Sequence, residues 1–106
     1  MGREKILVVD SDLDSLSKIY LALIHRKFKV EACNNPEEFY DRMKRFKPAV
    51  VILNLDEYSI RSEKLKQPAI VLVENENQRI QLNDGDILLA KPVLVDELIK
   101  AVERLI

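Results

Sequence analysis

Lys5-Ile6-Leu7-Val8-Val9-Asp10-Ser11-Asp12 is the stretch on which the fold turns. The run Ile6 to Val9 carries no polar alternation, as expected of a parallel strand covered on both faces. Polar residues then end it abruptly. The stretch that follows places Leu13, Leu16, Tyr20, Leu23 and Ile24 on one side of a 3.6-residue helix, with Ser11 or Asp12 as its N-cap. A buried strand followed by an amphipathic helix is the first half of a βαβ unit.

The same rhythm continues along the chain. Phe28 to Ala32 alternates apolar residues with Lys29 and Glu31, which suits an edge strand with one solvated face. Asn35-Pro36-Glu37-Glu38 reads as N-cap, proline at the first helical position and acidic first turn. Phe39, Met43 and Phe46 form that helix's buried stripe, and it should stop before Pro48. Ala49 to Leu53 and Ala69 to Val73 are wholly apolar and belong in the centre of the sheet. The crossover between them has room for about two helical turns, expected over Ile60 to Lys66. Residues 74 to 86 make another short, polar crossover that closes on an Asp84-Gly85 turn. Ile87 to Ala90 is the fifth strand, and the last helix carries Val95, Leu98, Ile99, Val102, Leu105 and Ile106 inward. The pattern is α/β: a flavodoxin-like, doubly wound (βα)5 unit with parallel order 2-1-3-4-5 and shortened third and fourth helices. In such sheets a site is expected outside the carboxyl ends of the central strands.

Composition bounds the function. The chain has 106 residues, 47% hydrophobic and 33% charged, with two glycines, four prolines and no linker-like segment. One domain spanning residues 1–106 is expected, large enough for a core without disulfides or a structural metal. With 17 basic and 18 acidic side chains the net charge is −1. That balance offers no overall attraction to nucleic acid or an anionic membrane. The apolar runs fall far short of the ~20 residues a membrane span needs, and the N-terminus does not read as a signal peptide. Cys33 has no cysteine partner in the chain, so a reducing, cytoplasmic setting is expected.

Four strand ends bring together Asp10-Ser11-Asp12, Asn54, Val73-Glu74 and Lys91. Here the chain resembles the response-regulator receiver domain of two-component phosphorelay signalling, over essentially its whole length. The resemblance rests on Ile6 to Asp10, Pro48 to Leu55, Pro68 to Val73, and Leu89-Ala90-Lys91-Pro92 with Asp96-Glu97-Leu98. It implies an acidic pair after strand one that holds Mg²⁺, and an aspartate ending strand three that accepts a phosphoryl group from a histidine kinase. It also implies a lysine after strand five that bridges to that aspartate, a hydroxyl after strand four, and a switch aromatic on strand five.

The chain departs from that pattern at most of these positions. Asn54 stands at the phosphoacceptor place, and a neutral amide is not the carboxylate nucleophile. Ser11 replaces the second acidic residue. Val73 stands where the hydroxyl belongs, and Leu88 where the switch aromatic belongs. Asp10 and the Lys91-Pro92 pair persist. Asp10 and Asp12 are the weak metal candidates left, too few for tight Mg²⁺ binding, so no cofactor is expected.

Plainer roles stand beside each of these. Asp10 caps the first helix or pairs with Lys91, and Asp12 is a first-turn carboxylate favoured by the helix dipole. Pro92 fixes the turn after strand five, and a cis bond is a usual reason for an X-Pro pair there. Asp56, read as lying on a loop beyond strand three, is the alternative phosphoacceptor, as is Asn54 after deamidation. Glu74 and Glu76 are solvated loop carboxylates or part of a remodelled weak cation site. Cys33 and His25 lie on different elements without ligand spacing. Phe39, Tyr40 and Tyr58 are candidate surface anchors, the first also a core candidate.

The expected function is therefore a pseudo-receiver: a signalling module, not an enzyme, that acts through a protein partner such as a kinase, an output domain or another receiver. A homodimer is a further option. Small-ligand binding in the vacated pocket is the other alternative. The last helix closes at Ile106, so no output domain lies within these 106 residues, and both a free-standing adaptor and a piece of a larger chain are compatible with the sequence.

Overall fold

The computed structural model describes residues 4–75 and 81–106. Glu76 and the middle of the crossover from 74 to 86, including any fourth helix within it, lie outside the described residues. Five parallel strands, β1 (Lys5–Val9), β2 (Lys29–Cys33), β3 (Val50–Asn54), β4 (Ala69–Val73) and β5 (Ile87–Ala90), form one sheet in the order β2-β1-β3-β4-β5. The helices are α1 (Leu13–His25), α2 (Phe39–Phe46), α3 (Leu55–Arg61) and α4 (Val95–Leu105), with 3-10 turns at Pro36–Glu38 and Ser62–Lys64.

The pleat of the central strands sends alternate side chains to two apolar layers. Ile6, Val8, Ile52, Ile70 and Leu72 pack with Leu16, Ile19 and Leu23 of α1 and Leu98, Ile99, Ala101 and Val102 of α4. Leu7, Val9, Val51, Leu53 and Val71 pack on the other face with Phe39 of α2 and Tyr58 of α3. Each such fully buried aliphatic side chain contributes roughly 1.5–3 kcal/mol relative to exposure. This explains why β1, β3 and β4 read as continuous apolar runs.

Several local expectations shift. Leu13 and Ile24 are exposed, because the inward stripe of α1 runs through Leu16, Ile19 and Leu23. Val95 of α4 and Ile106 just past its end are likewise exposed, and Ala101 is buried in the inward stripe. β2 and β3 each begin one residue later than the apolar pattern suggests. The third helix does not occupy Ile60 to Lys66: it starts at Leu55, directly after β3, and Ile60 is exposed. Tyr58 is consequently no surface anchor; it is fully buried, as is Phe39, whereas Tyr40 is exposed.

The caps follow local chemistry. Asp12 is the N-cap of α1, its carboxylate accepting from the amides of Asp14 and Ser15. Asn35 accepts from the Glu37 amide ahead of Pro36 and Glu38. α1 and α2 both terminate on a lysine in the left-handed region, Lys27 at φ 71° and Lys47 at φ 52°. Gly85 takes φ 89° in the turn that begins at Asn83 and is closed by the Asp86 amide. Among the described residues no helix is long and apolar enough to cross a membrane.

Candidate functional site

Parallel winding brings the carboxyl ends of β1, β3, β4 and β5 to one edge of the sheet, and the residues just past those ends line a cavity of about 230 Å³. Its walls include Asp10, Asp12, Asn54, Asp56, Val73 and Lys91. Asp10 is 1% exposed and is the buried charged residue of the described chain. Its Oδ1 accepts from the Asp12 amide at 3.0 Å and from Asn54 Nδ2 at 2.9 Å. Its Oδ2 accepts from Lys91 Nζ at 3.0 Å. Both carboxylate oxygens are therefore engaged by donors from β1's exit, β3 and β5.

Burial alone pushes the Asp10 carboxyl up. Hydrogen bonds from Asn54, Ser15, the Asp12 amide and Lys91 outweigh it and hold the group below its ordinary value. The site is thus a buried anion that carries its own counter-ion. Lys91 is positioned by its amide, which donates to the Val73 carbonyl at 2.7 Å; the Lys91–Pro92 peptide that follows is cis. Its ammonium also stands 4.0 Å from the exposed Glu74 carboxylate. Asn54 Oδ1 is buried without a partner among the described residues. That follows from geometry: the amide nitrogen must face Asp10, so the oxygen faces away from the donors.

A second polar cluster, away from the cavity, ties α3 to the start of β5. The Tyr58 hydroxyl donates to Asp86 Oδ2 at 2.7 Å and accepts from the Asn83 amide at 2.7 Å. Asp86 Oδ1 accepts from the Ala69 amide at 2.9 Å, where β4 begins. Arg61 fixes the other flank of α3 by donating to Glu57 and to the Pro36 carbonyl, with its guanidinium 4.9 Å from the ring centres of both Phe39 and Tyr40.

No protein-family model and no curated protein sequence matches the chain. Solved structures do. The signal receiver domain of a response regulator from Bermanella marisrubri superposes with a TM-score of 0.78 at 24% identity, over 95% of this chain and 96% of that one. A response regulator from Desulfuromonas acetoxidans matches with a TM-score of 0.80 at 21% identity, over 96% and 95%. The signal receiver domain of a modulated diguanylate cyclase from Desulfovibrio desulfuricans G20 matches with a TM-score of 0.79 at 17% identity, over 96% and 92%.

The chain has the response-regulator receiver fold. Within that receiver fold Asp10, Asn54 and Lys91 meet in direct hydrogen bonds, as described. Ser11 and Asp12 line the cavity and are exposed, and Asp12 spends its carboxylate capping α1. Val73 is buried beside them, and Pro92 is exposed behind Lys91. Leu88 is half-buried and packs in the layer of Tyr58 and Leu82. Asp56 does not lie on a loop: it sits exposed in the first turn of α3 and lines the same cavity as Asn54. The available signal was Asn54-Leu55-Asp56-Glu57, a capping residue followed by an acidic first turn. Cys33 is buried, its thiol donating to the Asn35 carbonyl, whereas His25 is exposed on α1. Sequence reasoning missed the Tyr58–Asp86 cluster altogether.

Proposed function

We propose that this chain is a signalling module of the two-component type that keeps the receiver scaffold and works by protein–protein contact without aspartyl phosphorylation. The observation that carries this reading is the 2.9 Å bond from Asn54 Nδ2 to Asp10 Oδ1. A carboxylate at position 54 would repel Asp10 and call for a cation between them. The amide instead donates to Asp10, and Lys91 supplies the remaining charge. The residues present do not suit Mg²⁺, because the one carboxylate at the centre has both oxygens occupied and Asn54 turns its nitrogen toward it. Among the described residues no group of three His, Cys, Asp or Glu side chains is placed to hold a metal. The module is accordingly not an enzyme in this reading. Its partner is a kinase, an output domain or another receiver, met in a reducing cytoplasm.

The test is to record amide spectra during titration with beryllofluoride and Mg²⁺. Unchanged resonances at Asp10, Asn54 and Lys91 are expected, and saturable shifts clustered there would overturn the reading. One observation favours a second reading: Asp56 borders the same cavity as Asn54, so its carboxylate is within the pocket's reach. Intact-mass measurement after acetyl phosphate treatment distinguishes the two, since phosphorylation at Asp56 adds a phosphoryl mass that Asp56→Asn abolishes.

A further inference from the structure

Lysines crowd the amino ends of β1, β2 and β3 and acidic side chains the carboxyl ends of the sheet, while Asp84 and Asp86 stand at the amino end beside β5. At the amino ends of the strands, Lys5 of β1 and Lys29 of β2 are register partners, and the Lys29 amide donates to the Glu4 carbonyl. Lys27 lies two residues before Lys29. On the other side of Lys5, its carbonyl accepts from the Ala49 amide, which brings the Lys47-Pro48 turn alongside. Lys27, Lys29 and Lys47 are exposed and enter no ion pair among the described residues. The Lys5 ammonium stands over the Phe46 ring at 5.5 Å. Glu4 is the carboxylate set within this row.

Backbone geometry makes two of these lysines unexpected. Lys27 and Lys47 both occupy the left-handed region, where a side chain is disfavoured and glycine is the ordinary helix-terminating residue. Both helix ends therefore carry a charged side chain at a conformational cost, on the same rim. At the opposite rim, parallel winding collects the N-termini of the described helices, and Asp12, Asp14, Glu37, Asp56, Asp96 and Glu97 stand exposed there without an ion pair among the described residues.

We infer that the lysine rim docks the acidic rim of a second copy of this chain, giving head-to-tail association. The charge complement that the lysines require is present on the molecule itself, at the far end of the sheet. Because donor and acceptor surfaces lie at opposite ends, the contact is heterologous and does not close into a dimer. The inference does not rest on the proposed function, although Asp12 and Asp56 of the acidic rim also line the pocket.

Sedimentation velocity on the full chain across a concentration series tests it. In low-salt buffer the weight-average sedimentation coefficient is expected to climb with concentration without a dimer plateau. It should return to the monomer value at about 0.5 M salt, where screening acts over only a few ångströms. Lys27→Gly/Lys47→Gly removes two charges while relieving both left-handed sites, so it should melt no lower than the parent yet remain monomeric. Mixing it with Asp96→Lys/Glu97→Lys, whose lysine rim is intact, should yield one-to-one dimers and nothing larger. A parent that stays monomeric at every concentration in low salt overturns the inference. So does undiminished association of Lys27→Gly/Lys47→Gly, a saturating dimer, or a monomer that binds heparin or DNA in place of itself.

Discussion

Asp10 sets the chemistry of the pocket, and its environment fixes how the protein responds to acid. Its pKa is lowered on folding, so it contributes stability above the unfolded carboxyl value of about 3.9, and that contribution is lost as pH falls through the lower folded value. Asp10→Asn should cost roughly 3 kcal/mol at neutral pH by leaving Lys91 without its buried partner, and urea midpoints at neutral and acid pH should converge relative to the parent. Asn54→Asp probes the other contact. It places two carboxylates in the space of one hydrogen bond and should destabilise the fold by about 1.4 kcal/mol for each unit by which the pair's shared titration is raised. Added Mg²⁺ should raise the melting temperature of that variant and leave the parent unchanged. At this scale much of the site was legible, because Asp10, Asn54 and Lys91 each follow an apolar run directly, and a parallel sheet must bring such residues together. The direction of the Asn54 amide was not, since it depends on what faces it.

At the scale of elements, α3 is held by bonds to distant parts of the chain. Its seven residues bury Tyr58 and little else, so the hydroxyl's bonds to Asp86 and Asn83 matter more than in a longer helix. Tyr58→Phe keeps the ring in place but leaves the Asp86 carboxylate and the Asn83 amide short of a partner. A loss of about 1–3 kcal/mol is expected by denaturant titration, together with faster exchange of the Ala69 amide. None of this was legible beforehand. A polar stretch between two strands reads as solvated, and nothing local marks Asp86 as the acceptor for a residue 28 positions earlier. The start of α3 was obscured for a related reason: Asn54 holds the N-cap place but commits its side chain to Asp10 and not to the helix.

For the molecule as a whole, the two apolar layers share the strands between them and are expected to unfold together. Ile52 faces α1 and α4, whereas Tyr58 lies in the opposite layer. Ile52→Ala should cost roughly 2–5 kcal/mol, and in a Tyr20→Phe/Tyr40→Phe background, where Tyr58 alone reports, tyrosine fluorescence and far-ultraviolet circular dichroism should shift to the same lower midpoint. Two separated transitions would show that the layers unfold independently. The strand order was legible because β1, β3 and β4 are buried on both faces and β2 alternates; the exposed turns of α1 and α4 were not, since an apolar residue one position off the stripe looks the same in sequence.

The bonds around the pocket and around Tyr58 also form a closed path. From Asp10 it crosses to Asn54, continues along α3 to Tyr58, passes through Asp86 into β5, and returns by Lys91 to Asp10. Each side-chain bond in this ring joins residues far apart in sequence, so loss of any one of them opens it. The carboxyl end of the β3–β5 half of the sheet, tied by Asp10, Asn54 and Lys91, is thereby joined to its amino end, tied by Tyr58 and Asp86, through the backbones of α3 and β5.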